Sequence, residues 1–141
     1  EGFQDLTCSM GTQVIYDSTA LISVTTSNTN QRVKAWIDFN NDGVFSSSEK
    51  ILNSVDSVLH SVIFTAPTGV VLNTPVRLRI KSDLANSTAG TGPCDAPYDG
   101  QTEDYFVIFV EALLAPSSQF QYVESGDCSG TVTFNDQSQN V

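Results

Sequence analysis

Within residues 38–49, DFNNDGVFSSSE, oxygen-bearing side chains recur at alternate positions: Asp38, Asn40 and Asp42. Gly43 stands sixth in the stretch, Phe45 eighth and Glu49 twelfth, which is the spacing of a calcium loop of EF-hand type. The chemistry follows from the ion. Calcium is a hard cation that takes roughly 6–8 oxygens, and alternate residues of a tightly curled loop can aim theirs at one point. Gly43 permits the sharp turn, the Val44 carbonyl fills the seventh slot, and Glu49 would close the shell with two oxygens. The competing reading is plainer. Asn41-Asp42-Gly43 is a good hairpin turn by itself, and Asp38 and Glu49 would then simply be solvated. An EF-hand domain does not follow, because no amphipathic helix flanks the loop. Asp38 comes after a strand, and KILNSV after Glu49 is short and β-like.

A second group of carboxylates is Asp99, Glu103 and Asp104, in YDGQTEDY. Glu103 and Asp104 open a run that is otherwise apolar, so they need partners or solvent. For one of them the expectation is an ion pair with Arg77 or Arg79; for the other, an additional calcium donor or half of a catalytic acid/base pair stays open. No nucleophile motif, zinc motif or phosphate loop accompanies them. The single His60 lies inside a strand-like run, where a hydrogen-bonded structural role is the expectation. Asn86-Ser87-Thr88 matches a glycosylation sequon, relevant only in a eukaryotic secretory pathway.

The elements that would position these groups are strands. Residues 20–26, 32–39, 57–65 and 76–82 each alternate with period two and are separated by turn residues. In the second, Val33, Ala35, Ile37 and Phe39 share one face and Lys34, Trp36 and Asp38 the other. Trp36 then belongs either to a sheet covered on both sides or to an exposed aromatic contact. In the fourth, Val76, Leu78 and Ile80 face a core while Arg77, Arg79 and Lys81 face out. Residues 104–112 are apolar on nearly both faces, as in a central strand. Residues 83–102 break the pattern with Gly, Pro, Asp, Ser and Thr, and a loop this long is tied down or functional. Two short β-like runs follow at 119–123 and 130–135, after a linker at 113–118. The fold class is therefore all-β: an antiparallel β-sandwich, jelly-roll or Ig-like, with a cation-loop insertion and an incomplete β tail.

Composition excludes several classes. The net charge of -10 disfavours nucleic acid, and no apolar run is long enough for a membrane-spanning helix. No charged start followed by an apolar stretch suggests a retained signal peptide. Low charge content and abundant Ser and Thr suit an extracellular β module. Cys8, Cys94 and Cys128 form no CxxC pair, so one disulfide and one leftover cysteine fit a secreted protein; three free thiols fit a cytosolic one.

Two stretches together resemble the GEVED domain of large secreted bacterial proteins. VKAWIDFNNDGVFSSSEKIL (33–52) looks like that family's Trp-Ile-Asp, aromatic, Asn, Asp-Gly and later Glu signature. YDGQTEDYFV (98–107) is similar to its Gly-Glu-Val-Glu-Asp-Tyr motif, with Gln101 and Thr102 as departures and Glu103-Asp104-Tyr105 retained. FTAP (64–67), PVRLRIKSD (75–83) and the opening GFQDLTC (2–8) extend the likeness over residues 1–112. FQYVESGDCSGTVTFNDQSQN (120–140) resembles the first strands of a PKD domain and stops before the rest of that family's pattern.

These resemblances imply a GEVED-like sandwich over 1–112, a linker, and a truncated PKD-like segment over 119–141. They imply a non-catalytic module of a secreted or surface bacterial protein, held by calcium at Asp38, Asn40, Asp42, Val44 and Glu49. A disulfide between Cys8 and Cys94 would pin the long loop to the opening strand. Its partners would be other modules of the same polypeptide, and extracellular protein or polysaccharide, as in an adhesin. The alternatives are a fibre subunit that adds its tail strands to a neighbouring copy, and an accessory domain of a secreted peptidase or glycan hydrolase.

Overall fold

The structure is a computed structural model, and it describes residues 2–88, 91–113, 119–124 and 132–138. The chain divides into two compact units, Glu1–Glu111 and Ala112–Val141. The first holds strands β1 (Gly2–Asp5), β2 (Gly11–Ile15), β3 (Thr19–Thr25), β4 (Gln31–Ile37), β5 (Lys50–Val55), β6 (Leu59–Thr65), β7 (Pro75–Leu84) and β8 (Gln101–Val110). One sheet runs β1-β8-β7-β4-β5, with β2 also paired to β8; β3 and β6 form the other. In the second unit, β9 (Phe120–Glu124) and β10 (Val132–Asp136) form an antiparallel hairpin. The expected linker at 113–118 and Cys128 lie almost wholly or wholly outside the described residues.

Alternation builds the core. Val33, Ala35 and Ile37 of β4 share one face of the larger sheet with Leu52, Val76, Leu78, Val107 and Phe109, and all are buried. Ile22, Val24, Val62 and Phe64 pack onto this layer from the β3–β6 sheet. Phe39 joins it, with its ring 5.7 Å from Phe109 and 6.4 Å from Phe64. The expected strands appear within a few residues of their predicted limits, and KILNSV is β5.

Two expectations need correction. The sandwich is not purely antiparallel: β1 and β2 both run parallel to β8, one after the other along its edge. And the row Arg77, Arg79, Lys81 does not simply face solvent. Lys81 is 2% exposed, and Trp36, across from Arg79, is 3% exposed. This sheet is covered on both faces. Loop segments and the chain's opening residues cover the side away from the core, so a basic residue in an alternating strand need not be solvated.

Candidate functional site

Asp38 follows directly on β4. Its N–H donates to the Arg77 carbonyl at 2.9 Å, so the start of the 38–49 loop is tied to β7. A register irregularity between Ala35 and Trp36 in the β4–β5 pairing marks the neck of this loop. Asp38 then turns its carboxylate into the loop. Oδ1 accepts from the Asp42 amide at 3.1 Å and Oδ2 from the Gly43 amide at 3.0 Å. Asn40 Oδ1 accepts from the same Asp42 amide at 3.1 Å, and Asp42 Oδ1 accepts from the Val44 amide at 2.8 Å. Asn40 Nδ2 donates to Asp42 Oδ2 at 2.9 Å. Positive φ at Asn41 (55°) and Gly43 (82°) gives the curl that makes these short bonds possible. The Asp38 and Asn40 oxygens thus meet at the Asp42 amide, while Asp42 turns its own oxygens to Val44 and Asn40.

Glu49 behaves differently. Its Oε1 accepts from the Phe39 amide at 3.0 Å and its Oε2 from the Ser46 amide at 2.7 Å. It sits buried at the end of a single 3-10 turn, Ser47–Glu49, and staples the two ends of the loop together. As a calcium shell, the donors fit in kind: Asp38, Asn40 and Asp42 carry the oxygen donors that suit a hard cation, and the first two bring theirs together at the Asp42 amide. Glu49 already uses both oxygens on backbone amides. Among the described residues no three His, Cys, Asp or Glu side chains gather as a metal site.

Glu103 and Asp104 part company, as neighbours in a strand must. Asp104 lies on the face away from the core, 1% exposed, opposite Arg79 of β7. Arg79 Nε donates to Oδ1 and Nη2 to Oδ2, both at 2.7 Å, and Arg77 Nε lies 3.7 Å from Oδ2. The Asp104 hydrogen bonds hold the Arg79 pKa above its usual value, against the opposing effect of burial. The same guanidinium touches three other segments. It lies 5.6 Å from the Phe3 ring centroid and 5.2 Å from that of Phe45, and Nη1 donates to the Pro93 carbonyl at 3.0 Å. So Asp104 holds Arg79, and Arg79 gathers the opening strand, the 38–49 loop and the long loop. Glu103 faces the other way. It accepts from Gln101 Nε2 and from the Tyr105 hydroxyl, and pairs with no arginine. Burial, then the Glu103 hydrogen bond, pushes the Tyr105 pKa up to about 12. Neither carboxylate is bonded to the 38–49 loop.

Two buried charges fix the long loop. Lys81 Nζ donates to the Gly92 carbonyl at 3.0 Å and to the Asp95 carbonyl. Burial lowers its pKa, while Asp95 and Asp83 pull the other way. Asp83 Oδ1 accepts from the amides of Leu84 (2.9 Å), Tyr98 (3.1 Å) and Asp99 (3.1 Å). Burial would raise the Asp83 pKa, but the amide bonds outweigh it and hold the carboxyl below its usual value. Gly100 then crosses β7 so closely that a Cβ there would stand 2.1 Å from the Ser82 carbonyl oxygen. The sequence led us to expect one of Glu103 and Asp104 to pair with Arg77 or Arg79, as Asp104 does with Arg79, but the loop-anchoring roles of Arg79, Lys81 and Asp83 were not read from it. The available signal was the loop's own length, since 83–102 had to be anchored by something nearby.

Cys8 and Cys94 are both exposed free thiols, so the structure does not contain the bridge suggested for them. The long loop is tied to the sheet by Lys81, Asp83 and Arg79 instead. His60 is fully buried, with Nδ1 2.9 Å from Ser54 Oγ and Nε2 3.5 Å from Thr26 Oγ1, a structural polar contact.

The geometry accounts for both stretches that carried the resemblance. Residues 33–52 form a strand, a curled loop and a strand, and residues 98–107 supply Gly100, Glu103, Asp104 and Tyr105. The profile of the GEVED domain matches residues 32–108, more than half of the chain. The chain belongs to the GEVED domain family. No curated protein matches it. In this GEVED domain the signature residues have separate tasks. Gly100 allows close approach, Asp104 anchors Arg79, and Glu103 bonds Tyr105. The PKD-like likeness of the tail has no such support.

Proposed function

We propose that this GEVED domain is a non-catalytic, calcium-stabilised module of a larger secreted or surface bacterial protein, serving as a spacer or binding unit. The observation that carries this reading is the engagement of its carboxylates. Asp104 is bonded at both oxygens to Arg79, and Glu103 to Gln101 and Tyr105. A general acid or base needs a proton path to a substrate, and a buried carboxylate closed on an arginine lacks one. The calcium part rests on the oxygen donors of Asp38, Asn40 and Asp42. Calcium there would offset the repulsion of two clustered carboxylates, and Glu49 would keep the loop closed around it.

Thermal melting with and without calcium tests the second part. Calcium at a hundredfold excess over its dissociation constant stabilises by about 2.7 kcal/mol, which raises the melting temperature by roughly 10 °C or more in a domain of this size. The shift disappears in Asp38→Asn. An unchanged melting temperature at millimolar calcium counts against the ion. Release of reducing ends or of peptide fragments from a substrate panel, abolished by Asp104→Asn in a folded protein, counts against the non-catalytic reading.

A fibre subunit is the second reading. The observation favouring it is the β9–β10 hairpin, which pairs with no third strand among the described residues. Two-stranded hairpins are marginal alone and gain by adding to another sheet.

A further inference from the structure

The long loop is held far more firmly than a spacer requires. Lys81 fixes the carbonyls of Gly92 and Asp95, Asp83 fixes the amides of Tyr98 and Asp99, and Arg79 fixes the carbonyl of Pro93. Each of the three anchoring side chains comes from β7, and Lys81 and Asp83 are almost wholly buried. A loop without strands or helices that is locked onto a rigid sheet is suited to presenting a surface.

What it presents is a cleft. Between the loop and β1 lies a cavity of about 500 Å³, within the range of small-ligand sites. Its lining includes Phe3, Asp95, Pro97, Tyr98 and Thr102, with Arg79 at its base. Tyr98 is 75% exposed although its own amide is pinned to Asp83. Phe3, on the same cleft, is exposed too, so two aromatic rings on fixed backbone offer flat apolar faces to a ligand.

The chemistry of the lining selects the occupant. Its one cation, Arg79, is closed on Asp104, so it offers no charge to an anionic ligand. The chain's net charge of -10 repels acidic polymers further. The carbonyls of Pro93 and Asp95 are taken by Arg79 and Lys81, and Asp95 Oδ2 accepts from the Gly92 amide at 2.8 Å, so the polar groups that the lining turns to a ligand are neutral hydroxyls, those of Tyr98 and Thr102, and the second Asp95 oxygen. The complement is a neutral ligand rich in hydroxyls, which both donate and accept, with an apolar face for the Tyr98 and Phe3 rings. A pyranose ring has both. A proline-rich peptide has the apolar face but lacks the N–H donors.

We propose that the cleft between β1 and the 92–100 loop binds a neutral polysaccharide chain, with Tyr98 as its stacking platform. This rests on the module reading above and names the ligand class and the site.

The experiment is affinity electrophoresis of the whole 141-residue chain. The gels contain hydroxyethylcellulose, xyloglucan, glucomannan or a soluble α-glucan, each with millimolar calcium. At least one polysaccharide retards the protein. Tyr98→Ala weakens that binding by at least about tenfold without lowering the melting temperature, since the ring is exposed. Leu21→Ala, on the outer face of the β3–β6 sheet, leaves it unchanged. Absence of retardation in every gel overturns the proposal, as does equal retardation of Tyr98→Ala. So does an oligoproline decapeptide whose binding shifts the Tyr98 ring resonances when none of the polysaccharides does. Failure here leaves the melting response to calcium untouched. Conversely, retardation together with release of reducing ends sinks the non-catalytic reading and keeps the binding site.

Discussion

Arg79 and Asp104 meet edge to edge across β7 and β8, through two parallel hydrogen bonds of 2.7 Å. The pair is planar and charge-assisted, the strongest class of side-chain hydrogen bond. It is also nearly desolvated, which changes how its loss is felt. Both charges gave up hydration on folding, so removing one leaves the other buried and uncompensated.

Asp104→Ala therefore costs about 3–5 kcal/mol of unfolding free energy, measured by urea denaturation. The double variant Arg79→Met with Asp104→Leu costs clearly less than the two single changes added together. Arg79→Lys is not conservative here, because an ammonium cannot make the paired bonds or lie flat between Phe3 and Phe45. A loss below about 1 kcal/mol for Asp104→Ala would show that the pair is not the anchor of this face.

Acid stability reports on Asp83, the buried one of the three aspartates among the described residues whose pKa is lowered, the exposed Asp5 and Asp136 being the others. Its folded pKa lies below the reference value of 3.8. Above that value the carboxyl is ionised in both states, and its amide bonds contribute in full. As pH falls below it, the unfolded chain takes up the proton first, and the contribution drains away until the folded carboxyl protonates too. Stability of the wild type therefore falls on going from about pH 4 to pH 2 more steeply than that of Asp83→Asn. Equal slopes in denaturant series across that range would remove Asp83 as the loop's clamp.

Glu49 gives a test of staple against ligand. Both oxygens accept backbone amides, and Glu49→Gln puts a donor where one of them stood. The substitution costs about 1–2 kcal/mol even in excess chelator. If it costs nothing in chelator and only blunts the response to calcium, Glu49 is a cation ligand after all and the loop rearranges around the ion.

Much of this layout was legible because it rests on short-range rules. Period-two alternation marked β3, β4, β6 and β7, and the Asp38–Asn40–Asp42 spacing marked a loop whose Asp38 and Asn40 oxygens meet at the Asp42 amide. What escaped was long-range. β1 and β2 run parallel to β8, and parallel pairing leaves no local sign in a strand of four or five residues. Lys81 in an alternating strand looks solvent-facing, because its cover comes from Gly92 and Asp95, more than ten residues away. Asp83 falls at the strand-to-loop border, where a carboxylate is expected to be solvated. Only the fold brings Tyr98 and Asp99 back onto it.

The Tyr105 phenol gives a titration to follow at the alkaline end. Its phenol donates to Glu103, and its pKa stands at about 12 against the usual 10.0. Alkaline absorbance titration shows one phenolate forming near pH 12, and that step is missing in Tyr105→Phe. Because the folded pKa is raised, the stabilisation is complete below pH 10.0 and is lost as pH climbs toward 12. Absence of any late phenolate that Tyr105→Phe removes would contradict the Glu103–Tyr105 bond.

Gly100 makes the sharpest steric demand. A Cβ would stand 2.1 Å from the Ser82 carbonyl oxygen, 2.7 Å from its carbon and 2.9 Å from the Asp83 Cα. All three are backbone atoms of β7, so no side chain can swing aside to relieve the clash. Gly100→Ala must instead push β7 and the start of β8 apart, next to the Asp83 clamp and the first rung of the β1–β8 pairing. The cost is about 2–4 kcal/mol, in the range of overpacked cores. Gly92→Ala is the control. Its nearest neighbour is the Asp95 carboxylate oxygen at 3.1 Å, a side chain that can give way, so its cost stays within about 1 kcal/mol. Denaturation midpoints for the two variants check the contrast. If Gly100→Ala were as mild as Gly92→Ala, the close crossing of the loop over β7 would be wrong, and with it the rigid base of the Tyr98 cleft.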